Sequence, residues 1–430
     1  MVRENGSTGS ASRRDFIRDA GAAVVAATAL VGTSRTVRAD NRETLKIGLV
    51  GCGGRGTGAA VQALTADPNT KLVALADTFR DHLDSSLVNL KKSPVADRVD
   101  VDEDHKFTGF DAYKGVIETC DVVLLAATPA FRPAHICAAV EAGKHVFCEK
   151  PIAVDGPGVR SVLETTKLAK DKNVNIVSGL CYRYQHAKRD TIKRIQDGAL
   201  GEIIAMQTTY NTGSLWHRGN DPKWSEMEYQ VRNWLYFDWL SGDHINEQHI
   251  HSLDKIAWAM GDVYPAKATA SGGRTVRTEA MYGNIYDHFN TVYEWENGVR
   301  CFSSCRQWGG AATDVSDFVY GTKGKSNIQD HWIDAGGSKW EHKPEGPDDM
   351  YQNEHNELFA AIRDGKTINN GEFMCNSTLM AIMGRIAAYS GQTVTREQVL
   401  NSKLSLVPDK LEWSGHAANP IAVPGQGTFV

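Results

Sequence analysis

Glu247, His251 and Asp254 stand at i, i+4 and i+7, a spacing that puts all three on one face of a helix. A carboxylate beside an imidazole is what general acid/base chemistry needs: the acid orients the ring and the ring moves the proton. His244 precedes them by one turn. Ile250, Leu253, Ala257 and Met260 form an adjacent apolar stripe that must face a core, and Gly261 stops the helix. A second reactive group lies far upstream. Lys150 follows the apolar run 144–148, at the C-terminal end of a strand, a poor position for a solvated charge. Near a cationic ring its pKa would be pushed down, and it could hydrogen-bond a reacting oxygen and share in proton transfer. A metal held by His244, Glu247, His249 and His251 is the weaker alternative, because His249 points away from the His251 face; no metal is expected.

The element that must position a cofactor for these groups lies at 45–56. An apolar run ends in Gly51, Gly53 and Gly56, spaced G-x-G-x-x-G with Gly54 and Arg55 between them, and 59–64 reads as a helix. This is the strand–turn–helix setting of a dinucleotide fingerprint. Gly51 permits the tight turn, Gly53 the approach of a pyrophosphate, and Gly56 close packing of helix on strand, with phosphates on the helix N-terminus. A second strand, 71–76, ends in Asp77, about 20 residues beyond the last glycine, where a ribose-binding carboxylate belongs. Asp77 favours NAD over NADP, although Arg80 lies close enough to pair with a 2′-phosphate. Strands and helices alternate up to about residue 172, which predicts a parallel sheet with crossover helices. The strand 121–127 runs into Thr128-Pro129 at the sheet edge where ligands bind.

Gly51-Cys52-Gly53-Gly54-Arg55-Gly56, Thr128-Pro129, His135 and above all Ala142-Gly143-Lys144-His145-Val146-Phe147-Cys148-Glu149-Lys150-Pro151 resemble the glucose–fructose oxidoreductase/inositol dehydrogenase (Gfo/Idh/MocA) family. The resemblance runs from Lys46 onward and is looser after Asp262. It implies a Rossmann α/β domain at 45–172 and, at 173–430, an α+β domain for substrate binding and oligomerisation with a large open antiparallel sheet. It places Glu149 and Lys150 beside the cofactor, with Lys150 between nicotinamide and substrate. It makes His251 the catalytic histidine and Asp254 the later aspartate of the family pattern, and puts Glu247 where an aspartate usually stands. It also makes Tyr182 and Arg183, after the strand 175–179, candidates to face the substrate, with His244 and Asp254. The expected reaction is NAD(P)-dependent oxidation or reduction of a secondary hydroxyl on a sugar, cyclitol or related polyol. His251 would move the proton with help from Glu247, while Lys150 holds the oxygen. The same lysine and histidine also serve exported relatives that oxidise a glycoside transiently, eliminate, hydrate and reduce again. A non-catalytic sugar or nucleotide sensor is the third alternative, and the presence of Lys150 and His251 argues against it.

The rest of the chain sets the context. It has 430 residues, 41% hydrophobic and 23% charged, enough for two domains of a globular protein, and a net charge of −5 that suggests no nucleic-acid partner. Beyond the N-terminal segment, no stretch is long and apolar enough to span a membrane. Ser12-Arg13-Arg14-Asp15-Phe16-Ile17-Arg18, the apolar run 20–32 and Val37-Arg38-Ala39 read as a twin-arginine export signal over 1–39, which makes the protein periplasmic or otherwise exported. The eight cysteines include no C-x-x-C pair and read as buried thiols. Residues 211–238 carry Trp216, His217, Trp224, Tyr229, Trp234 and Tyr236, either as a sugar-facing loop or as core. From Tyr264 onward strand follows strand, at 266–277, 287–296, 299–307, 318–321 and 325–329, with an Asn297-Gly298 hairpin turn and Arg306, Gln307 and Trp308 at one strand end. Helices are predicted at 352–364 and 375–390. The exposed face of such a sheet, together with the resemblance, predicts a homodimer or homotetramer.

Overall fold

The computed structural model describes residues 43–414 and 416–426. The expected export signal lies outside them. Six parallel strands open the chain: β1 (Leu45–Val50), β2 (Thr70–Asp77), β3 (Lys106–Thr108), β4 (Val122–Leu125), β5 (His145–Cys148) and β6 (Ile176–Ser178). Their order is β3-β2-β1-β4-β5-β6, the doubly wound arrangement of a Rossmann domain. The strands are continuous apolar runs because both faces are covered, by the helices Gly54–Ala66, Arg80–Leu90, Ala112–Thr119, Arg132–Glu141 and Gly156–Asp171. The chain reverses direction across the sheet between β1 and β4. The Gly-rich loop leaves β1 at that point.

Nine strands build the second sheet, in the order β14-β13-β12-β11-β7-β10-β9-β8-β15. They are β7 (Ile203–Thr212), β8 (Lys267–Gly273), β9 (His288–Glu294), β10 (Arg300–Gln307), β11 (Asp314–Gly321), β12 (Gly324–Asn327), β13 (Trp332–Ala335), β14 (Ser338–Glu341) and β15 (Val394–Thr395). The sheet is mixed rather than wholly antiparallel: β7 enters beside β10 and pairs with it in parallel, because the intervening helices carry the chain back to the same end. Asn297-Gly298 makes the turn between β9 and β10, with Gly298 at φ +83. The hairpin β13–β14 turns on Gly336-Gly337, both at positive φ, the backbone that a two-residue turn demands.

One face of this sheet is covered by the helices Ile250–Ala259 and Gly371–Ser390. The second is buried along nearly its whole length, because it also packs on Gly156–Asp171 of the first domain. A further helix, Met350–Asp364, returns to the first domain. Its Leu358, Phe359 and Ile362 join Leu45, Ile47, Leu64 and Leu72 in one core. All eight cysteines are free. Among the described residues no helix is long and apolar enough to cross a membrane.

Candidate active site

The Gly-rich loop shapes the floor of a cleft. Gly51 has φ +96, and a Cβ there would lie 2.3 Å from the Ala127 nitrogen; a Cβ on Gly56 would lie 1.9 Å from the Gly51 carbonyl oxygen. Both positions therefore exclude a side chain. Gly53 and Gly54 have nothing within 4 Å of a built Cβ, so an open cradle lies over the start of the helix Gly54–Ala66, where backbone N–H groups await an anion. The cleft encloses about 360 Å³. Asp77 lines it at the end of β2. One carboxylate oxygen accepts from Cys52 N at 2.7 Å and the other from Phe79 N at 2.9 Å. The latter, Oδ1, also lies 3.4 Å from His82 Nδ1, while Oδ2 keeps a lone pair free.

Thr128 Oγ1 and His135 Nδ1 are buried without a hydrogen-bond partner, and both residues line this cleft. Burial followed by the Arg132 charge brings the His135 pKa down to about 3, so the ring is neutral at pH 7. Pro129 is buried and starts the turn Pro129–Phe131 that sets Thr128 at the rim. An open Gly cradle, a carboxylate at the ribose position and unpaired polar atoms fit an adenine dinucleotide.

The opposite wall comes from the second domain. Trp216, Arg218, Val231, Arg232 and Trp234 line the same cleft, so the aromatic segment, read as either a sugar-facing loop or core, in part walls the nucleotide site. Tyr236 and Trp239 are core. The tail after residue 402 folds back over this end. Leu406 N donates to Asp155 Oδ2 at 2.8 Å, and the Trp413 ring packs on Phe110 at 4.7 Å and on Phe79 at 5.7 Å. Phe79 and Phe110 both line the cleft.

Arg55 is not available to a phosphate. Its Nε donates to Glu149 at 2.5 Å, Nη2 to Glu354 at 3.0 Å and Nη1 to Gln62 at 2.8 Å, and the guanidinium lies 4.9 Å from the Tyr351 ring centre. It bolts the first helix to Met350–Asp364, and Glu149 is spent on the same pair.

Lys150 meets the second domain. Its Nζ donates to Glu247 Oε1 at 2.9 Å and to the Glu247 carbonyl at 2.6 Å. Glu247 therefore serves the lysine, and not His251 as its spacing suggested. The reason is a break in the helix. His244–Glu247 is one short helix and Ile250–Ala259 another, with Gln248 and His249 between them. Gln248 Oε1 accepts from Thr212 at 3.2 Å and from Gln307 at 2.8 Å, and His249 Nε2 contacts Ser303 Oγ at 2.7 Å. These bonds to β7 and β10 outweigh helical continuity. Gln307 thus supports the region from the strand end, whereas Trp308 Nε1 donates to Asp287 at 3.0 Å, away from it.

His251 lies edge-on to Tyr182, ring centres 5.2 Å apart, with Nδ1 buried and unpartnered. Burial, then the ammonium groups of Lys150 and Lys255, hold its pKa well below the ordinary histidine value. Two buried lysines missed in the sequence surround Tyr182. Lys188 and Lys255 place Nζ 4.7 and 4.4 Å from its ring centre. Lys255 is paired with the buried Asp317 and donates to Gln329 at 2.5 Å.

Arg183 and Asp254, expected at the substrate, are joined to each other. Arg183 Nε reaches both Asp254 oxygens at 3.0 and 2.9 Å, Nη2 reaches Oδ1 at 2.8 Å, and Asp262 takes Nη1 and Nη2 at 3.2 and 2.6 Å. Ser377 Oγ donates to Asp254 at 2.7 Å, and Phe373 covers the guanidinium at 4.0 Å. The pair is a structural bolt with its polar atoms consumed. His244 is buried too, but its Nε2 has no hydrogen-bond partner. Its Nδ1 contacts Asp243 Oδ1 at 2.9 Å, its ring packs on Phe289, and no hydrogen bond joins it to Lys150 or His251 among the described residues. Among those residues no group of three or more His, Cys, Asp or Glu is arranged to hold a metal ion.

A Rossmann nucleotide cleft whose fifth strand leads into a lysine held by Glu247 of a second, sheet-based domain, four residues before His251, defines an NAD-binding oxidoreductase architecture. The chain belongs to the Gfo/Idh/MocA oxidoreductase family: residues 45–180 match the model "Oxidoreductase family, NAD-binding Rossmann fold" and 189–326 the GFO/IDH/MocA C-terminal domain. It is 27% identical over 211 residues to a 2,7-anhydro-N-acetylneuraminate hydratase of Escherichia coli, covering 48% of this chain and 51% of that one. It is 24% identical over 292 residues to an inositol 2-dehydrogenase of Cereibacter sphaeroides, covering 66% and 74%. The chain spans about half the length of the first of these relatives. The crystal structure of myo-inositol 2-dehydrogenase from Lactobacillus plantarum superposes with a TM-score of 0.63 at 20% identity, over 82% of this chain and 99% of that one.

The geometry around Asp77 carries a prediction on cofactor choice. Arg80 is engaged by Asp84 at 3.0 Å and Glu103 at 2.9 Å, which leaves Asp77 to set the preference. NAD is expected to bind at least about tenfold more tightly than NADP, since a 2′-phosphate would face a carboxylate. Asp77→Ala should narrow that ratio. Equal dissociation constants for the two cofactors in the parent protein would remove Asp77 from this role.

Proposed function

We propose that the protein is an NAD-dependent oxidoreductase acting on a secondary hydroxyl of a sugar, cyclitol or related polyol. The observation that carries this reading is the bond from Lys150 of the first domain to Glu247 of the second, which brings the ammonium near enough to His251 to depress its pKa. NAD supplies the hydride acceptor when bound. The chain supplies position and proton. Lys150 Nζ, held by Glu247, is the donor to the hydroxyl oxygen. His251, neutral because of its burial and the neighbouring ammonium groups, accepts the hydroxyl proton on a ring nitrogen. Family membership and the inositol dehydrogenase relative support this substrate class.

A second reading uses the same groups for transient oxidation, elimination and hydration of a glycoside or anhydro-sugar; the hydratase relative favours it. The sequence at 12–18 supports export, where free nucleotide is scarce, and with it a cofactor retained and recycled within the cleft. The deciding experiment incubates purified protein with and without added NAD against inositols, free sugars, anhydro-sugars and glycosides, following NADH absorbance and products. Ketone formation matched by NADH supports the dehydrogenase. Cleavage or hydration without net NADH supports the second reading. No conversion of any member would overturn both.

Association through the outer face of the nine-stranded sheet is part of the same proposal. Phe302 and Phe318 flank Gln207 in register on that face, and Phe302 is 53% exposed.

A further inference from the structure

Five arginine or histidine side chains line the nucleotide cleft: Arg55, His82, His135, Arg218 and Arg232. His135 is neutral at pH 7, and of the other four, three have acidic partners. Arg55 is held by Glu149 and Glu354. His82 Nδ1 lies 3.4 Å from Asp77. Arg232 pairs with Asp81 at 3.0 Å and Glu228 at 2.8 Å, and covers the Phe79 ring at 3.9 Å. Arg218 alone has no acidic partner among the described residues. A dinucleotide brings two phosphate charges to a cradle whose own arginine is spent. The backbone N–H groups at the helix start offer only partial charge.

Arg218 is also presented by a fixed stretch of backbone. The fully buried Asn233 accepts from Arg218 N at 2.8 Å through Oδ1, and its Nδ2 donates to the Gly219 carbonyl at 3.1 Å and the Tyr229 carbonyl at 3.1 Å. Gly219 N donates to His217 Nδ1 at 2.9 Å, and Gly219 itself has φ +77. The guanidinium rests over Trp216 at 4.3 Å, and the Trp216 ring is edge-on to Trp234. Stem and backbone are thus ordered before any ligand arrives, and the planar fork stays open for bidentate pairing with phosphate oxygens.

We propose that Arg218, carried by the second domain, binds the pyrophosphate of the cofactor from across the cleft. The role resembles that of a clasp: the first domain contributes N–H groups and a ribose acceptor, and the second contributes the counter-charge. The bound cofactor then links the loop that follows β7 to the Gly-rich cradle, and the same loop continues into the wall of the site. This inference rests on the cleft being the NAD site, and is independent of which alcohol is oxidised.

The test is titration calorimetry of the full chain, freed of bound nucleotide, with NAD, NADP, ADP-ribose and adenosine. Arg218→Ala and Arg218→Lys are compared with the parent, and melting temperatures check folding. Arg218→Ala is expected to weaken NAD and ADP-ribose by about 10- to 100-fold, the range of a charged hydrogen-bonded contact, and adenosine by less than about twofold. Arg218→Lys should recover part of the loss. Salt should weaken NAD binding less in Arg218→Ala than in the parent. Unchanged ADP-ribose affinity in Arg218→Ala would overturn the assignment while leaving the cofactor site intact. A loss seen with NADP and not with NAD would also overturn it, by moving the contact to a 2′-phosphate. Failure of the parent to bind NAD or ADP-ribose would overturn the reading of the cleft, and this inference with it.

Discussion

Lys150→Ala and His251→Ala should each lower kcat by about 100-fold or more, the scale of a lost proton-transfer group, while NAD affinity survives. The two losses have different origins. Lys150 is the only link between the cofactor strand and Glu247 in the described hydrogen bonds, so its removal also frees a carboxylate. Glu247→Gln should therefore reduce turnover less than Lys150→Ala, since the amide still accepts from the ammonium. For His251 the pH profile is the discriminating measurement. Its pKa is depressed, chiefly by burial, so the base form persists as pH falls through the ordinary histidine value of about 6.5. The activity it supports is present above its lowered pKa and lost only below it. An acid limb near pH 6.5 that vanishes in His251→Ala would show a solvent-exposed ring and contradict the buried geometry. Near-normal turnover in His251→Ala would remove the base from this position.

Breaking the Arg183–Asp254 pair is the second large effect. Removing one partner of a buried ion pair leaves an uncompensated charge and costs about 3–5 kcal/mol. Arg183→Ala, which strands the buried Asp254, should lower the unfolding free energy by that amount, measured by denaturant titration; Asp254→Ala should cost less, because Asp262 still pairs with the guanidinium. The protein that remains folded should keep the parent KM, because neither side chain has a polar atom to spare for a ligand. Replacing both with apolar residues of similar volume should cost much less than Arg183→Ala. Parent-like stability with a strongly raised KM would return the pair to the substrate role suggested by position in the motif.

Local signals and distant partners divide what the sequence reveals from what it hides. The Gly51–Gly56 loop, Asp77 and the strand before Lys150 are legible because each depends on a few adjacent residues and a fixed backbone geometry. The same holds for Asn297-Gly298. The side-chain partners are not legible. Arg183 finds Asp254 across 71 positions and Arg55 finds Glu354 across 299, distances at which spacing carries no information. The continuous face read for Glu247, His251 and Asp254 fails for a related reason. Helical periodicity assumes an uninterrupted ladder, and here hydrogen bonds from Gln248 and His249 to β7 and β10 turn the chain between the first and second of those residues. The aromatic segment at 211–238 showed its burial tendency but not its destination, which depends on how the two domains meet.

The helix Met350–Asp364 has a consequence for modularity. Besides Leu358, Phe359 and Ile362 in the core beneath β1, it sends Gln352 to the Gln62 carbonyl at 3.0 Å and Arg363 to Asp67 at 2.5 Å. The nucleotide-binding half thus borrows part of its interior from the far end of the sequence. A fragment cut after residue 172 would expose that apolar surface to water and leave Arg55 without Glu354. Swapping this half between relatives as a self-contained cassette would fail unless the buttressing helix travelled with it. Its true unit of inheritance is discontinuous: a contiguous Rossmann segment together with one helix encoded nearly three hundred residues later.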